Sequence, residues 1–150
     1  MSPGYKATWQ TSRTSTGYST QSNNKKSRLD IVFAIAGTGA LALFGQITEE
    51  HFDKEFDINM RGLLFSVQMA LPLLRYGGSI VLNASIVSVK GSPAMSVYSA
   101  TKAAVRSFAR TWSVNLRERR IGVNTISPGI VPTPGYNTSL GLVMNRSMSS

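Results

Sequence analysis

The chain has no cysteine, which removes both a disulfide framework and a thiolate metal site. Its one histidine, His51, stands among acidic residues in an expected first helical turn, where a surface position explains it better than a ligand role. No metal is expected. No apolar run reaches the ~20 residues that span a bilayer, so no membrane partner is expected either. Acids are scarce: seven Asp and Glu face sixteen Lys and Arg, for a formal charge of +9. Five of those cations, Lys6, Arg13, Lys25, Lys26 and Arg28, lie in residues 1–28, with eleven Ser or Thr and no acid. Such a segment buries too little apolar surface to fold alone. It is Ser-rich and acid-poor like a transit peptide and basic like a nucleic-acid arm. It lacks amphipathic periodicity and its charges are scattered, so nucleic acid is not an expected partner.

What is present is a chain of 150 residues, 42% hydrophobic and 15% charged, enough for one domain with a core. It is organised around Tyr98-Ser99-Ala100-Thr101-Lys102. Positions four apart on a helix lie one turn above each other, so Lys102 is expected beside the Tyr98 phenol. A nearby cation favours the phenolate and should bring its pKa down toward the working range of acid–base catalysis. A tyrosine and a lysine at this spacing also occur by chance, as a half-buried phenol and a solvated amine. The surrounding pieces decide between the two.

Gly78 to Ser85 reads as a short buried strand with a serine at its end. Asp57-Ile58-Asn59-Met60-Arg61-Gly62 places an asparagine inside a helical pattern. Val123-Asn124-Thr125-Ile126-Ser127-Pro128-Gly129 is a strand running into a Pro-Gly turn. Together with Tyr98 and Lys102, in this order and spacing, these pieces resemble the short-chain dehydrogenase/reductase family over roughly Leu29 to Pro134. The resemblance implies an α/β fold, the C-terminal half of a doubly wound, Rossmann-like parallel sheet. The expected organisation is an aberrant or disordered segment 1–28, a partial dinucleotide-binding domain 29–136 and a flexible tail 137–150. Thr8 to Lys26 can be read one base out of frame, with synonymous codons chosen freely, as a strand end, an N-cap and an amphipathic helix. That product is similar to what precedes Leu29 in the family, which makes a frame error one account of the segment.

Leu29 to Gly37 is a continuous apolar run, the pattern of a parallel strand covered on both faces. The family's Asn-Asn-Ala-Gly is here Ala34-Ile35-Ala36-Gly37, without the asparagines. Gly37-Thr38-Gly39-Ala40-Leu41-Ala42 also fits a G-x-G-x-x-G/A dinucleotide fingerprint, with Asp57 about 20 residues on. Asp57 falls in a helical pattern rather than at a strand end, and Gly45 breaks the helix that should follow, which count against it. Thr48 is an expected N-cap with Glu49 and Glu50 in the first turn. Phe52, Phe56, Ile58 and Met60 form an apolar stripe interrupted by Asn59. Gly62 to Arg75 is apolar on nearly every face and should be buried, with Pro72 limiting it and Gly77-Gly78 turning into the next strand. A long helix follows Met95, with Val97, Ala100, Ala104, Val105, Phe108, Ala109, Trp112 and Leu116 on one face. Arg117 to Arg120 then supply cations at its end.

Carried over from the family, Tyr98 exchanges the proton of a carbonyl or alcohol, and Ser85, with Ser88 and Ser92 as rivals, orients the substrate oxygen. Lys102 lowers the Tyr98 pKa and holds the nicotinamide ribose, and Asn59 completes a proton relay. Ala36, Gly37, Pro128, Gly129, Val131 and Thr133 line the cofactor, NAD or NADP. The implied protein is a cytoplasmic oxidoreductase acting on a small ketone or secondary alcohol, paired through helices 61–75 and 96–118 into a homodimer or homotetramer. The alternative is a fragment that binds no cofactor, since the family's first strand and phosphate loop precede Leu29.

Overall fold

The computed structural model describes residues 28–35 and 37–131. Most of the basic segment 1–28 and all of the tail 137–150 lie outside them, as do Ala36 and Thr133.

Three strands, β1 (Leu29–Ala34), β2 (Leu74–Asn83) and β3 (Gly122–Ile126), form one sheet in the order β1-β2-β3. All pairings are parallel, with Val32 beside Ile80 and Ile80 beside Val123. β1 reaches β2 through α1 (Glu49–Phe56), a π-helical segment (Asp57–Gly62) and α2 (Leu63–Ala70). β2 reaches β3 through a 3₁₀ turn (Ile86–Ser88), α3 (Ser96–Asn115) and a second 3₁₀ turn (Arg117–Arg119). Crossovers between parallel strands are right-handed. Two of them stepping the same way across a sheet lay their helices on the same face. Hence α2 and α3 share one core: Leu63, Val67 and Ala70 from α2 and Val105 and Ala109 from α3 pack on Val32, Ala34, Ile80 and Leu82. Ile80 and Leu82 are fully buried, at 0% exposure.

The opposite face departs from expectation. β1 is not covered on both sides, since Ile31 is 63% and Phe33 48% exposed, and Ile126 of β3 is exposed as well. Strand residues alternate between faces, and only the Val32–Ala34 face meets helices.

Local chemistry sets the boundaries. The Thr48 hydroxyl accepts from His51 N–H at 3.1 Å and caps α1, with Glu49 and Glu50 in the first turn. α2 stops at Ala70, just before Pro72. Gly77-Gly78 lies within β2 rather than ahead of it: the register jumps from Leu29↔Leu74 to Ile31↔Ser79, so Arg75 to Gly78 bulge out. Gly77 has φ +74°, and a Cβ on Gly78 would sit 3.0 Å from the Asp30 and Arg75 carbonyl oxygens. Arg119 is not merely solvated. Its guanidinium donates to the carbonyls of Leu71 (3.0 Å) and Leu74, closing the α2–β2 corner.

The expected apolar stripe is split, with Met60 packed against the core and much of the rest turned outward. Phe52 and Ile58 are exposed, and Phe52 stacks on Phe56 at 4.3 Å. The inward row is Glu55, Asn59, Leu63, Val67. On α3, Ala100 is exposed and the buried positions are Val97, Thr101, Lys102, Val105 and Ala109.

Candidate active site

The site forms at the carboxyl ends of the strands, where ligands bind in open parallel sheets. β2 ends at Asn83, and its carbonyl accepts from the Lys102 ammonium at 2.8 Å. Two residues later Ser85 caps the 3₁₀ turn, its hydroxyl accepting from Val87 N–H at 3.4 Å. The Ile86 N–H donates to Pro128 O at 3.0 Å, which draws the segment after β3 alongside Ser85. α3 presents Tyr98 and Lys102 to the same place, with the ammonium 5.6 Å from the centre of the Tyr98 ring.

The loop after β1 crosses over this pair. A Cβ on Gly37 would lie 3.1 Å from Lys102 Nζ, and one on Gly39 would lie 3.0 Å from the Tyr98 ring. Gly37-x-Gly39 is therefore a close-packing device over the site. No helix starts at this loop, since α1 begins at Glu49, and Asp57 pairs on the surface with Arg61 at 3.1 Å. The fingerprint reading of 37–42 fails on both counts.

Beneath the loop is a buried polar network. Asn59, 1% exposed, accepts from Thr38 N–H at 2.8 Å through Oδ1. Its Nδ2 shares two N–H donors among three acceptors, Thr38 O at 2.8 Å, Glu55 Oε2 at 3.1 Å and Thr101 Oγ1 at 3.1 Å. Glu55, also 1% exposed, accepts from Ala40 N–H at 2.8 Å through Oε1. The Thr101 hydroxyl donates to the Tyr98 carbonyl at 2.7 Å.

Electrostatics follow burial. Desolvation pushes the Tyr98 phenol above its usual value; a hydrogen bond from Ser85 pulls it back and the Glu55 carboxylate pushes it further up. The phenol is thus raised in this arrangement rather than brought down, with loss of water around it the largest cause. Lys102, 2% exposed, is pulled down by the same desolvation, partly offset by Glu55. The Glu55 carboxyl is pushed up by burial, against the pull of Ala40 N–H, His51, Asn59 and Lys102.

Of the sequence candidates, Ser85, Tyr98 and Lys102 converge, with Gly37 packed on Lys102 and Asn59. Asn59 is nearby, as a side chain tying the loop to α1 and α3. Pro128 sits beside Ile86, while Gly129 and Val131 are exposed. Ser88 Oγ is buried without a partner among the described residues, and Ser85 is the serine whose hydroxyl acts on the Tyr98 phenol. Sequence reading missed Glu55, Thr101 and Gly39. The usable signal was the four-residue row: Glu55 and Asn59 share a face with Leu63 and Val67, so both were due to be buried.

A parallel α/β sheet thus gathers a Ser, a Tyr and a Lys at its carboxyl edge. The model of the family described as enoyl-(acyl carrier protein) reductase matches residues 15–144, and the chain belongs to the short-chain dehydrogenase/reductase family. It is 42% identical over 119 residues to an oxidoreductase, asL5, of Sarocladium schorii, covering 78% of this chain and 48% of the relative. It is 39% identical over 112 residues to the hydroxynaphthalene reductase-like protein Arp2 of Metarhizium majus, covering 74% and 42%. The chain thus spans about half the length of the curated relatives it matches. Among solved structures, the landomycin C-6 ketoreductase LanV with bound NADP and rabelomycin superposes with TM-score 0.65 at 34% identity, covering 67% of this chain and 41% of that one. A short-chain dehydrogenase family protein from Francisella tularensis gives TM-score 0.75 at 26% identity, covering 80% and 50%.

Among the described residues, no helix is long and apolar enough to cross a membrane, and no group of three or more His, Asp or Glu could hold a metal ion.

Proposed function

We propose that this chain carries the catalytic half of an NAD(P)-dependent oxidoreductase that interconverts a ketone and a secondary alcohol. The observation that carries this reading is the meeting of Ser85, Tyr98 and a buried Lys102 at the end of β2. The donor set fits the nicotinamide-ribose end of a dinucleotide: Lys102 Nζ makes one hydrogen bond among the described residues, which leaves two N–H donors for ribose hydroxyls. Tyr98, Lys102, Pro128, Gly129 and Val131 are the described residues that would hold that end, with Thr133 beside them, and Ala36 and Gly37 would lie along the adenosine half. The cofactor supplies hydride.

The protein's part is proton placement. A phenol whose pKa is raised keeps its proton at neutral pH, so Tyr98 stands ready to donate to a carbonyl oxygen. The Ser85 hydroxyl orients that oxygen and holds the phenol from the other side. As the proton leaves, negative charge grows on Tyr98 Oη, and the Lys102 cation stabilises it in a site where little water screens the field. Asn59 is proposed to serve the relay that returns the proton.

Within this reading the chain works in the cytoplasm on a small molecule. It pairs with copies of itself through the outer face of α2, where Phe65 and Met69 are exposed. A second reading, a fragment that binds no cofactor, draws on the exposed apolar face of β1. Fluorescence titration with NADH and NADPH separates the two, since the enzyme reading requires saturable binding. Turnover of a ketone should then fall by about 10²–10⁴-fold in Tyr98→Phe, the usual worth of a general acid, with cofactor affinity nearly unchanged. Retained turnover in that variant would sink the assignment of Tyr98.

A further inference from the structure

Glu55 has no part in the proton chemistry proposed above, yet it is among the most buried side chains in the chain. An ionised carboxylate in such a place is costly unless its oxygens are paired, and both are. Oε1 takes the Ala40 N–H and Oε2 takes Asn59 Nδ2. That second bond supports the orientation of the Asn59 amide that Thr38 also selects, with Nδ2 toward both the Thr38 carbonyl and the carboxylate. Oδ1 is then left to receive the Thr38 N–H. One carboxylate therefore holds the loop at two points, directly at residue 40 and through Asn59 at residue 38. Between them lies Gly39, seated against the Tyr98 ring, and before them Gly37, close to Lys102 Nζ.

We propose that Glu55 is a positioning residue, a clamp that closes the 37–40 loop over Tyr98 and Lys102 and so sets the geometry and local field of the proton donor. Its catalytic consequence rests on the oxidoreductase reading, but the clamp itself does not. The charged and titratable groups facing Glu55 are His51 from its own helix and Tyr98 and Lys102 from α3. The loop, residues 37–43, contributes none.

Glu55→Gln tests it, because glutamine has one acceptor oxygen where two donors must be met. Either Ala40 N–H loses its acceptor, or Asn59 Nδ2 meets an amide NH₂ and keeps only Thr38 O and Thr101 Oγ1. Amide exchange at Thr38 and Ala40 should quicken about tenfold, the worth of one buried hydrogen bond, while the amides of β2 and the α3 core stay as they were. Ultraviolet difference titration, read against Tyr98→Phe in the same background, should show the phenol ionising at lower pH once the carboxylate is removed. A residue that only filled space would alter melting without moving that midpoint. Unchanged exchange at Thr38 and Ala40, or an unmoved phenol, would overturn the clamp. Should the variant fail to fold, the wild-type chain still decides. The Thr38 and Ala40 amides must be protected far beyond the neighbouring exposed loop residues, and surface-like exchange there would overturn the proposal. None of these readouts needs cofactor or turnover, so they fail independently of the functional reading.

Discussion

One seam between helices runs through two kinds of interior. Along the α1–α2 side the inward row reads Glu55, Asn59, Leu63, Val67, and along α3 it reads Thr101, Val105, Ala109. The half nearer the carboxyl ends of the strands is polar, and the other half is apolar. The apolar half needs only area and shape, at about 25 cal/mol per Å² removed from water. The polar half gains little net stability, since each buried hydrogen bond replaces one to water. What it provides is a fixed arrangement: partners 21 and 42 residues apart in sequence held within 3.1 Å. The same helices thus stabilise the fold at one end and orient the chemistry at the other.

The largest expected effect lies in the apolar half. Leu82→Ala removes a fully buried side chain and should cost about 2–5 kcal/mol in urea unfolding. Phe33→Ala, one residue away from the covered face, should cost about 1 kcal/mol or less. Equal losses would mean that the second face of the sheet is covered in solution, and the contrast between faces would fall.

Asn59→Ala addresses the polar half. It strands the Thr38 N–H and removes a donor from Glu55, so a loss of about 2 kcal/mol is expected. Amide exchange at residue 38 should rise with it. A neutral result would show that water replaces the amide and that the network is looser than its distances imply.

The third effect is a pH slope. The folded-state pKa of Glu55 lies above its unfolded value, so folding favours the protonated form. Its contribution is fully present below the unfolded pKa of about 4.5 and is lost as pH rises through the folded value. Lys102 acts oppositely: its lowered pKa makes stability rise with pH in the window below 10.5. One coupled proton gives a slope of at most about 1.4 kcal/mol per pH unit. Denaturant midpoints of wild type and Glu55→Gln, taken at intervals from about pH 4 upward, should converge at the acid end and diverge above it. Parallel curves would remove the carboxylate's titration from the account.

Smallest is Thr48→Ala, expected to cost about 1 kcal/mol by exposing the first turn of α1. Because Glu55 rides on that helix, calorimetry should show the loss without a change in the phenol titration. A shifted phenol would tie the cap to the site.

Much was legible in the linear sequence. The Tyr98–Lys102 spacing, the serine at the strand end, the Thr48 cap and the apolar strands are local or periodic features, and local features survive folding. So did the α/β class, because alternating strands and helices leave few arrangements of a parallel sheet. The tertiary structure decided which side of each element faces in. The row shared with Leu63 and Val67 hints that Glu55 and Asn59 face inward, yet Phe52 and Ile58 look buried too until the loop at 37–40 and Thr101 arrive to satisfy the polar pair. The direction of the Tyr98 shift was settled in the same way. A spacing places a lysine near a phenol, but only the packed site fixes how much water the phenol loses, and that loss is the largest cause of its raised pKa.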